Sequence, residues 1–440
     1  MKRKVRCQEW GKVQVGPSYE LSSQEEVVSI LNAWNEVTGK DPAGYFEISG
    51  SWLMPKFWSG VLETAELVVE VSPIGSHLLP SHLKSALDAN LSAMLAATLS
   101  SREDGAGFAS LSLDGGRFDA LLTAFCEDLQ LARRKRVLRS YRTEQASLVS
   151  PRGRIVFPQQ SYEAVRRPGR FVSEWVGLSE DVLANQLFKE VLRRYRPRCS
   201  SRVRARIDTC LSELDHVSEL SGEVSWGGIS SQRRIPEIYM FLLKQSLFLL
   251  GQDAGAGVFS GDALAIAEVV FTSKLFEQFI DKELASVASS FGVISLPQSR
   301  GTFACADSHG TGAFELIPDN RIVDNRGKTL AIIDTKWKVL DMAKRQLGIS
   351  RDDIYQILVY GARFDCRALA LIYPDVSVES GQLGWSTEFT ATLAGQEYSL
   401  HIVKVPLLDR SLLPIRSSLE SLVRHHIRPG ADGYSISSAA

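Results

Sequence analysis

The sequence predicts a multidomain α+β and α/β chain. It has a β-rich N-terminal domain, a helical middle segment and a C-terminal α/β core. Three observations carry that prediction. Short apolar or alternating runs bounded by Gly and Pro cluster in the first 75 residues and return after residue 314. Runs with apolar residues every third and fourth position fill much of the region between. The length, 440 residues, allows two or three domains with ample cores. The expected divisions are 1–160 (β-rich with two helices), 161–255 (helical), 256–427 (α/β core) and 428–440 (a Gly- and Ser-rich disordered tail).

Composition narrows the class. Hydrophobic residues at 44% and charged residues at 23% are ordinary for a soluble globular protein. The formal net charge is −1. A nucleic-acid enzyme with that charge must concentrate its basic residues locally or borrow affinity from a partner. Cys7, Cys126, Cys199, Cys210, Cys305 and Cys366 form no C-x-x-C pair. They read as reduced thiols, and they exclude a cysteine zinc site or a disulfide framework. The first residues are basic without an apolar stretch, so no secretory leader is expected. No apolar run approaches a membrane span, and a cytoplasmic location is expected.

In chain order, Lys12–Val15, Tyr45–Ile48 and Glu66–Val71 predict strands, the last stopped by Pro73 and Gly75, with one helix over Gln24–Asn35. Residues 49–60, SGSWLMPKFWSG, read as an aromatic loop, either a probe for a partner or nucleic acid, or bulky filling of a small core. Leu83, Leu87, Leu91, Leu95 and Leu99 predict a helix from Pro80. An exposed loop follows over Ser100–Gly116. Phe118, Leu121, Leu122, Phe125 and Leu129 mark a second helix that runs into Arg133-Arg134-Lys135-Arg136, with Arg139 and Arg142 beyond. This is the strongest local positive charge; it suits phosphates or an acidic partner surface, or is a solvated helix end. Pro151–Arg154 is turn-like, and Ile155–Phe157 returns as a strand. Three helices follow, over Leu183–Tyr195, Val203–Val217 and Ile238–Leu250. Another is expected over Ala263–Ala288.

The chemistry lies between Phe314 and Gly361. Phe314, Leu316, Ile322 and Val323 form one apolar arm of a hairpin, Asp324–Gly327 its turn, and Leu330, Ile332 and Ile333 the other arm. Ser350 is placed to cap a helix whose first turn holds Asp352 and Asp353. Strands are expected at Ala368–Pro374, Glu388–Thr392 and Tyr398–Val405. Within this apolar setting stand Asp319, Asp334 and Lys336. Carboxylates at the end of a buried strand are costly unless paired or bound to metal. Two of them on neighbouring strands beside a Lys can hold Mg²⁺ and support water attack on a phosphodiester. Gln356 and Tyr360 share one face of the following helix. Gly327-Lys328-Thr329 is a hairpin turn and not a phosphate-binding loop, because the required earlier Gly position holds Ile322. Any linked nucleotide hydrolysis must come from another chain.

Pro318-Asp319 and Asp334-Thr335-Lys336, with the Gln356–Tyr360 helix, resemble the PD-(D/E)xK nucleases. Across most of the chain, further segments are similar to the McrC family of McrBC-type modification-dependent restriction systems. They are Glu70–Ile74, Tyr141, Arg152–Ile155, Asn185, Leu275-Phe276-Glu277, Asp353–Gln356 and Tyr373-Pro374. The family's frequent Lys after the strand Pro is Ile74 here.

The resemblance implies a Mg²⁺-dependent endonuclease subunit of an anti-phage defence system. Asp319 and Asp334 would ligate the metal, with the Thr335 carbonyl a third ligand. Lys336 would orient or deprotonate water, or stabilise charge. Glu277 would complete the site, with Glu268 and Glu283 as competitors. Gln356 and Tyr360 would orient the substrate strand or the Lys. The resemblance further implies a separate AAA+ GTPase ring (McrB-like) that binds GTP and reads methylated double-stranded DNA, with an N-terminal region of this chain docking on it. The rival readings are a stand-alone nuclease of the same fold and a catalytically silent assembly subunit.

Overall fold

The computed structural model describes residues 2–99, 119–221, 235–250, 265–266, 269–377, 386–409 and 413–427. The expected loop at 100–116, the tail from 428 and Glu268 lie outside them. The chain forms two compact units. One contains residues 1–121 and 259–440, the other 122–258. The boundary expected at 160/161 falls inside the second of these.

The first unit begins with β1 (Arg3–Gln8), β2 (Val13–Gln14), α1 (Gln24–Thr38), β3 (Phe46–Ser49), β4 (Trp52–Pro55), β5 (Ser59–Glu63), β6 (Leu67–Ser72) and α2 (Ser81–Leu99). Ser23 caps α1 by accepting from Glu26 N, and Gly39, at φ 63°, ends it. Strand β6 alternates buried and half-buried residues, as its sequence demanded. Residues 49–60 are not a loop. They supply β4 and the start of β5, and Leu53 and Trp58 are buried. Trp34 is the centre of this core. Its ring lies 5.0 Å from Tyr45, 5.1 Å from Phe46 and 5.0 Å from Trp58. Burying each such ring contributes about 1.5–3 kcal/mol. Helix α2 is buried all round from Asn90 to Ala97, wider than the predicted leucine stripe, and Leu83 is only half-buried.

The second unit holds α3 (Asp119–Lys135), β7 (Ser140–Leu148), β8 (Arg154–Ile155), α4 (Phe157–Arg166), β9 (Phe171–Ser179), α5 (Leu183–Tyr195), α6 (Ser201–Glu213) and α7 (Glu237–Leu250). The first three residues of helix α3 precede the boundary. Its sheet runs β7-β9-β8. The expected strand at 155–157 stops at Ile155, because Phe157-Pro158 opens α4, where Pro suits a first helical turn. Gly153, at φ 69°, passes so close to β9 that a Cβ would sit 2.4 Å from the Glu174 carbonyl. Half of the basic cluster is paired here, while Arg134, Lys135 and Arg136 stand exposed. Arg133 pairs with Glu180 and Glu213, Arg139 with Glu180, and Arg142 with Asp181. Asn185 is buried and donates to the carbonyls of Leu138 and Glu180, a tie within the unit.

The first unit resumes with β10 (Ala265–Ile266), β11 (Val269–Val270), α8 (Thr272–Ser290), β12 (Ile294–Pro297), β13 (Phe303–Ala306), β14 (Gly312–Glu315), β15 (Asn320–Val323), β16 (Thr329–Thr335), α9 (Arg351–Arg363), β17 (Ala368–Asp375), β18 (Ser386–Leu393), β19 (Gln396–Pro406) and α10 (Leu413–Ile427). The helix expected from Ala263 starts only at Thr272, because Val269 and Val270 pair with β5. The N-terminal sheet is therefore completed from the far end of the chain, in the order β1-β6-β5-β11-β10. The large sheet runs β12-β15-β16-β17-β19-β18, parallel at β16–β17 and β17–β19. The expected first hairpin arm is two strands. β14 pairs with β13 in a separate ribbon, and Phe314 is 79% exposed. Of the two, only β15 pairs with β16. Ile332, Leu369, Leu371, Leu400 and Ile402 share a core with Ile357 and Tyr360 of α9. Among the described residues, no helix is long and apolar enough to cross a membrane.

Candidate active site

Strand β16 ends in the site. Ile332 and Asp334 share the face packed by α9, so the carboxylate follows an apolar residue into a buried setting. Asp334 is 1% exposed. Burial raises its pKa above the ordinary carboxylate range, and the Asp319 charge adds to that. The Lys336 ammonium opposes it through an ion pair to Asp334 Oδ2. That contact is electrostatic; Oδ2 has no well-aligned hydrogen bond.

Asp319 sits between β14 and β15, just before Asn320 enters the sheet. Its Oδ2 accepts from the Thr335 backbone N–H and hydroxyl, both at 2.7 Å. Burial raises this pKa too, followed by the Glu277 charge, with the Thr335 bonds and Lys336 opposing. Thr335 therefore locks one carboxylate beside the other. For the Lys336 ammonium, burial alone would lower the pKa, but Asp334, and then Asp319 and Asp353, hold it above the ordinary value.

A hydrogen-bond chain continues from the lysine. Lys336 Nζ donates to Gln356 Oε1 at 2.9 Å, and Gln356 Nε2 donates to the Tyr360 hydroxyl at 2.9 Å. Tyr360 donates to the Ile317 carbonyl at 3.2 Å, two residues before Asp319. The helix that presents Gln356 and Tyr360 starts where the sequence placed it, with Ser350 Oγ accepting from Asp353 N at 3.1 Å. Of the two jobs the sequence left open for Gln356 and Tyr360, the geometry supports orienting the lysine.

Helix α8 brings acids to the other side of Asp319. Glu277 accepts from Gln298 Nε2 at 2.7 Å, and the Gln298 backbone N–H donates to the Asp319 carbonyl. Glu283 faces elsewhere; the charges acting on it are Arg416 and Lys282. Sequence reasoning missed Asp281, one helical turn after Glu277. It accepts from Asn320 Nδ2 at 3.2 Å, and burial, then the Glu277 and Asp319 charges, push its pKa up to about 8. The i to i+4 spacing from Glu277 was the available signal.

Glu9 was missed as well. It is fully buried just after β1, and accepts from Thr272 Oγ1, Trp337 Nε1 and Ile74 N. It thereby fastens the N-terminal sheet to the start of α8 and to the residue after Lys336. Burial pushes its pKa up to about 7 against those hydrogen bonds.

The donor set fits a hard divalent cation. Two adjacent buried carboxylates with raised pKa values carry an electrostatic deficit that a cation relieves, and Mg²⁺ commonly takes only one or two protein carboxylates. Among the described residues, Glu277, Asp319 and Asp334 do not close into a tight three-ligand group.

Fold and site together define a mixed α/β protein with a buried carboxylate–lysine cluster at the end of a central strand. The chain belongs to the family described as McrBC 5-methylcytosine restriction system component, whose model matches residues 55–374. In fold it is similar to a chain of the refined half-complex from the tetradecameric assembly of Thermococcus gammatolerans McrB AAA+ hexamers with bound McrC. The TM-score is 0.57 at 13% identity, over 95% of this chain and 100% of that one. A chain of the cryo-EM structure of the Thermococcus gammatolerans McrBC complex gives a TM-score of 0.39 at 13% identity, over 64% of this chain and 87% of that one. No curated protein matches in sequence.

Proposed function

We propose that this chain is the DNA-cleaving subunit of its restriction system, a Mg²⁺-dependent endodeoxyribonuclease with a PD-(D/E)xK core that acts on methylated double-stranded DNA. The observation that carries this is the Asp319–Asp334–Lys336 cluster, closed into one network through Thr335, Gln356 and Tyr360. Asp319, Asp334 and the Thr335 carbonyl would hold the cation. When bound, it supplies Lewis-acid activation of water and of the scissile phosphate. The chain's own residues do the rest. Thr335 fixes Asp319. Lys336, paired with Asp334 and held by Gln356, is kept cationic. That favours orientation of the water and stabilisation of phosphorane-like charge over proton abstraction. Tyr360 fixes Gln356 from the buried side of α9.

The partner is a McrB-like AAA+ ring, as in the assembly of the fold neighbour, where AAA+ hexamers bind McrC. GTP belongs to that ring, since this sequence carries no phosphate-binding loop. The N-terminal sheet and its loops are the proposed docking region. Glu9 then gives docking a physical route to Trp337, next to Lys336 and just beyond the strand that carries Asp334.

The test separates the two roles. Asp334→Ala and Lys336→Ala abolish cleavage, a loss of at least about 10²-fold, while stimulation of the partner's GTP hydrolysis persists. A folded Lys336→Ala protein that cuts normally overturns the catalytic assignment. One that loses only GTPase stimulation overturns the division of roles.

A further inference from the structure

We infer that Glu388, His401 and His425 form a second metal site, for a borderline transition-metal dication such as Zn²⁺, independent of the carboxylate–lysine cluster. Their ligand atoms all lie within 4.8 Å of one another. Three elements meet there. Glu388 on β18 and His401 on β19 are direct cross-strand partners, and His425 comes from α10. The His401 Nε2–Glu388 Oε1 separation is 3.6 Å. Ligand bonds near 2.1 Å put the edge of a tetrahedron at about 3.4 Å, so this pair already has coordination spacing. The His401 and His425 rings stand edge to face at 4.8 Å between centroids.

A second observation coincides with the cluster. The same three side chains line a cavity of about 480 Å³, together with Thr387, Ser417 and Ser421. A metal on two nitrogens and one oxygen would keep an open position towards that space. Ser399 donates to Glu388 Oε1 and lies 2.8 Å from His401 Nε2, contacts at the ligand atoms themselves that a bound ion would replace. Ser399 and Glu388 approach the same ring nitrogen, so these residues are not a nucleophile–base–acid relay. His401 is 8% exposed, so its ring is held in place within the cluster. The neutral imidazole is the metal-binding form. Two imidazoles favour zinc over the hard cations that carboxylates alone select.

The site stands on the far face of the sheet from Asp334. His401 pairs with Ala370, which pairs with Ile333, so these side chains share a face; Asp334 belongs to the adjoining row with Leu371 and Ile402. A bound ion would staple α10 to the edge hairpin β18–β19.

The experiment uses the full chain, stripped with chelator and dialysed against excess Mg²⁺. It is then titrated with Zn²⁺ alone by calorimetry, and with Co²⁺ as a spectroscopic probe. Glu388 and His425 are exposed, so E388Q and H425Q leave the fold intact, as a melting curve without metal will show. The wild type binds Zn²⁺ at one site that Mg²⁺ does not compete for, and its melting temperature rises with Zn²⁺. E388Q and H425Q weaken that binding by more than about tenfold and lose the rise. D319N retains it. Absence of such binding in the wild type, wild-type affinity in both ligand variants, or loss of the site in D319N each overturns the proposal.

Discussion

Asp281→Asn tests the electrostatics of the site without removing a proposed ligand. Asp281 is half-buried and its pKa stands near 8 against an ordinary 3.8. Between these values the folded chain binds more protons at this position than the unfolded chain does. Stability therefore falls as pH rises through that window, and the loss is complete above about pH 8. A shift of roughly four units at about 1.36 kcal/mol each sets a ceiling of about 5–6 kcal/mol. With the higher effective dielectric of real sites, roughly 2–3 kcal/mol is the working figure. Asn is isosteric, and its oxygen can still accept from Asn320 Nδ2. Calorimetric melts of the two proteins from pH 4 to 8, with chelator present, should coincide near pH 4. They should diverge by about 4–8 °C at pH 8, with Asp281→Asn the more stable. Parallel curves, or a less stable variant at pH 8, would refute the reasoning.

Ser350→Ala removes the hydroxyl that accepts from Asp353 N, and should cost about 1 kcal/mol in urea unfolding, because the first turn of α9 loses its cap. Arg133→Ala leaves Glu180 and Glu213 without their buried partner. Glu180 keeps Arg139 and His216, and Glu213 is part-exposed, so the second unit should lose about 1–2 kcal/mol in chemical unfolding, with Arg133→Lys restoring only part.

The local signals in the sequence held where one element decided them. The Ser350 cap, the apolar run of β17 and the alternation of β6 each appear where their residues placed them. The Asp334-x-Lys336 spacing put Asp334 at the end of β16 and Lys336 one residue beyond it, close enough to pair. What failed was long-range. Val269 and Val270 read as helix because nothing near them shows that β5, over 200 residues earlier, needs a partner. Phe314 read as part of the apolar hairpin arm with Ile322 and Val323, but its strand pairs into an outlying ribbon. The arginines at the end of α3 and beyond it read as a basic patch because the acidic partners of Arg133, Arg139 and Arg142 lie 39 to 80 residues away. Glu9 was invisible for a related reason, and Asp281 was marked only by its i to i+4 spacing from Glu277. A carboxylate on a helix or after a strand carries no mark of the burial that raises its pKa. The cysteine count excluded one kind of zinc site, but Glu388, His401 and His425 lie 13 and 24 residues apart and follow no local motif.

The central claim is that this chain cuts DNA with the Asp319–Asp334–Lys336 cluster under the control of a GTPase ring. The most direct measurement is cleavage of methylated and unmethylated duplexes in Mg²⁺, with and without the AAA+ partner and GTP. The account predicts cutting only when partner, GTP and methylated DNA are all present. Cutting by this chain alone, indifferent to GTP and methylation, would contradict it.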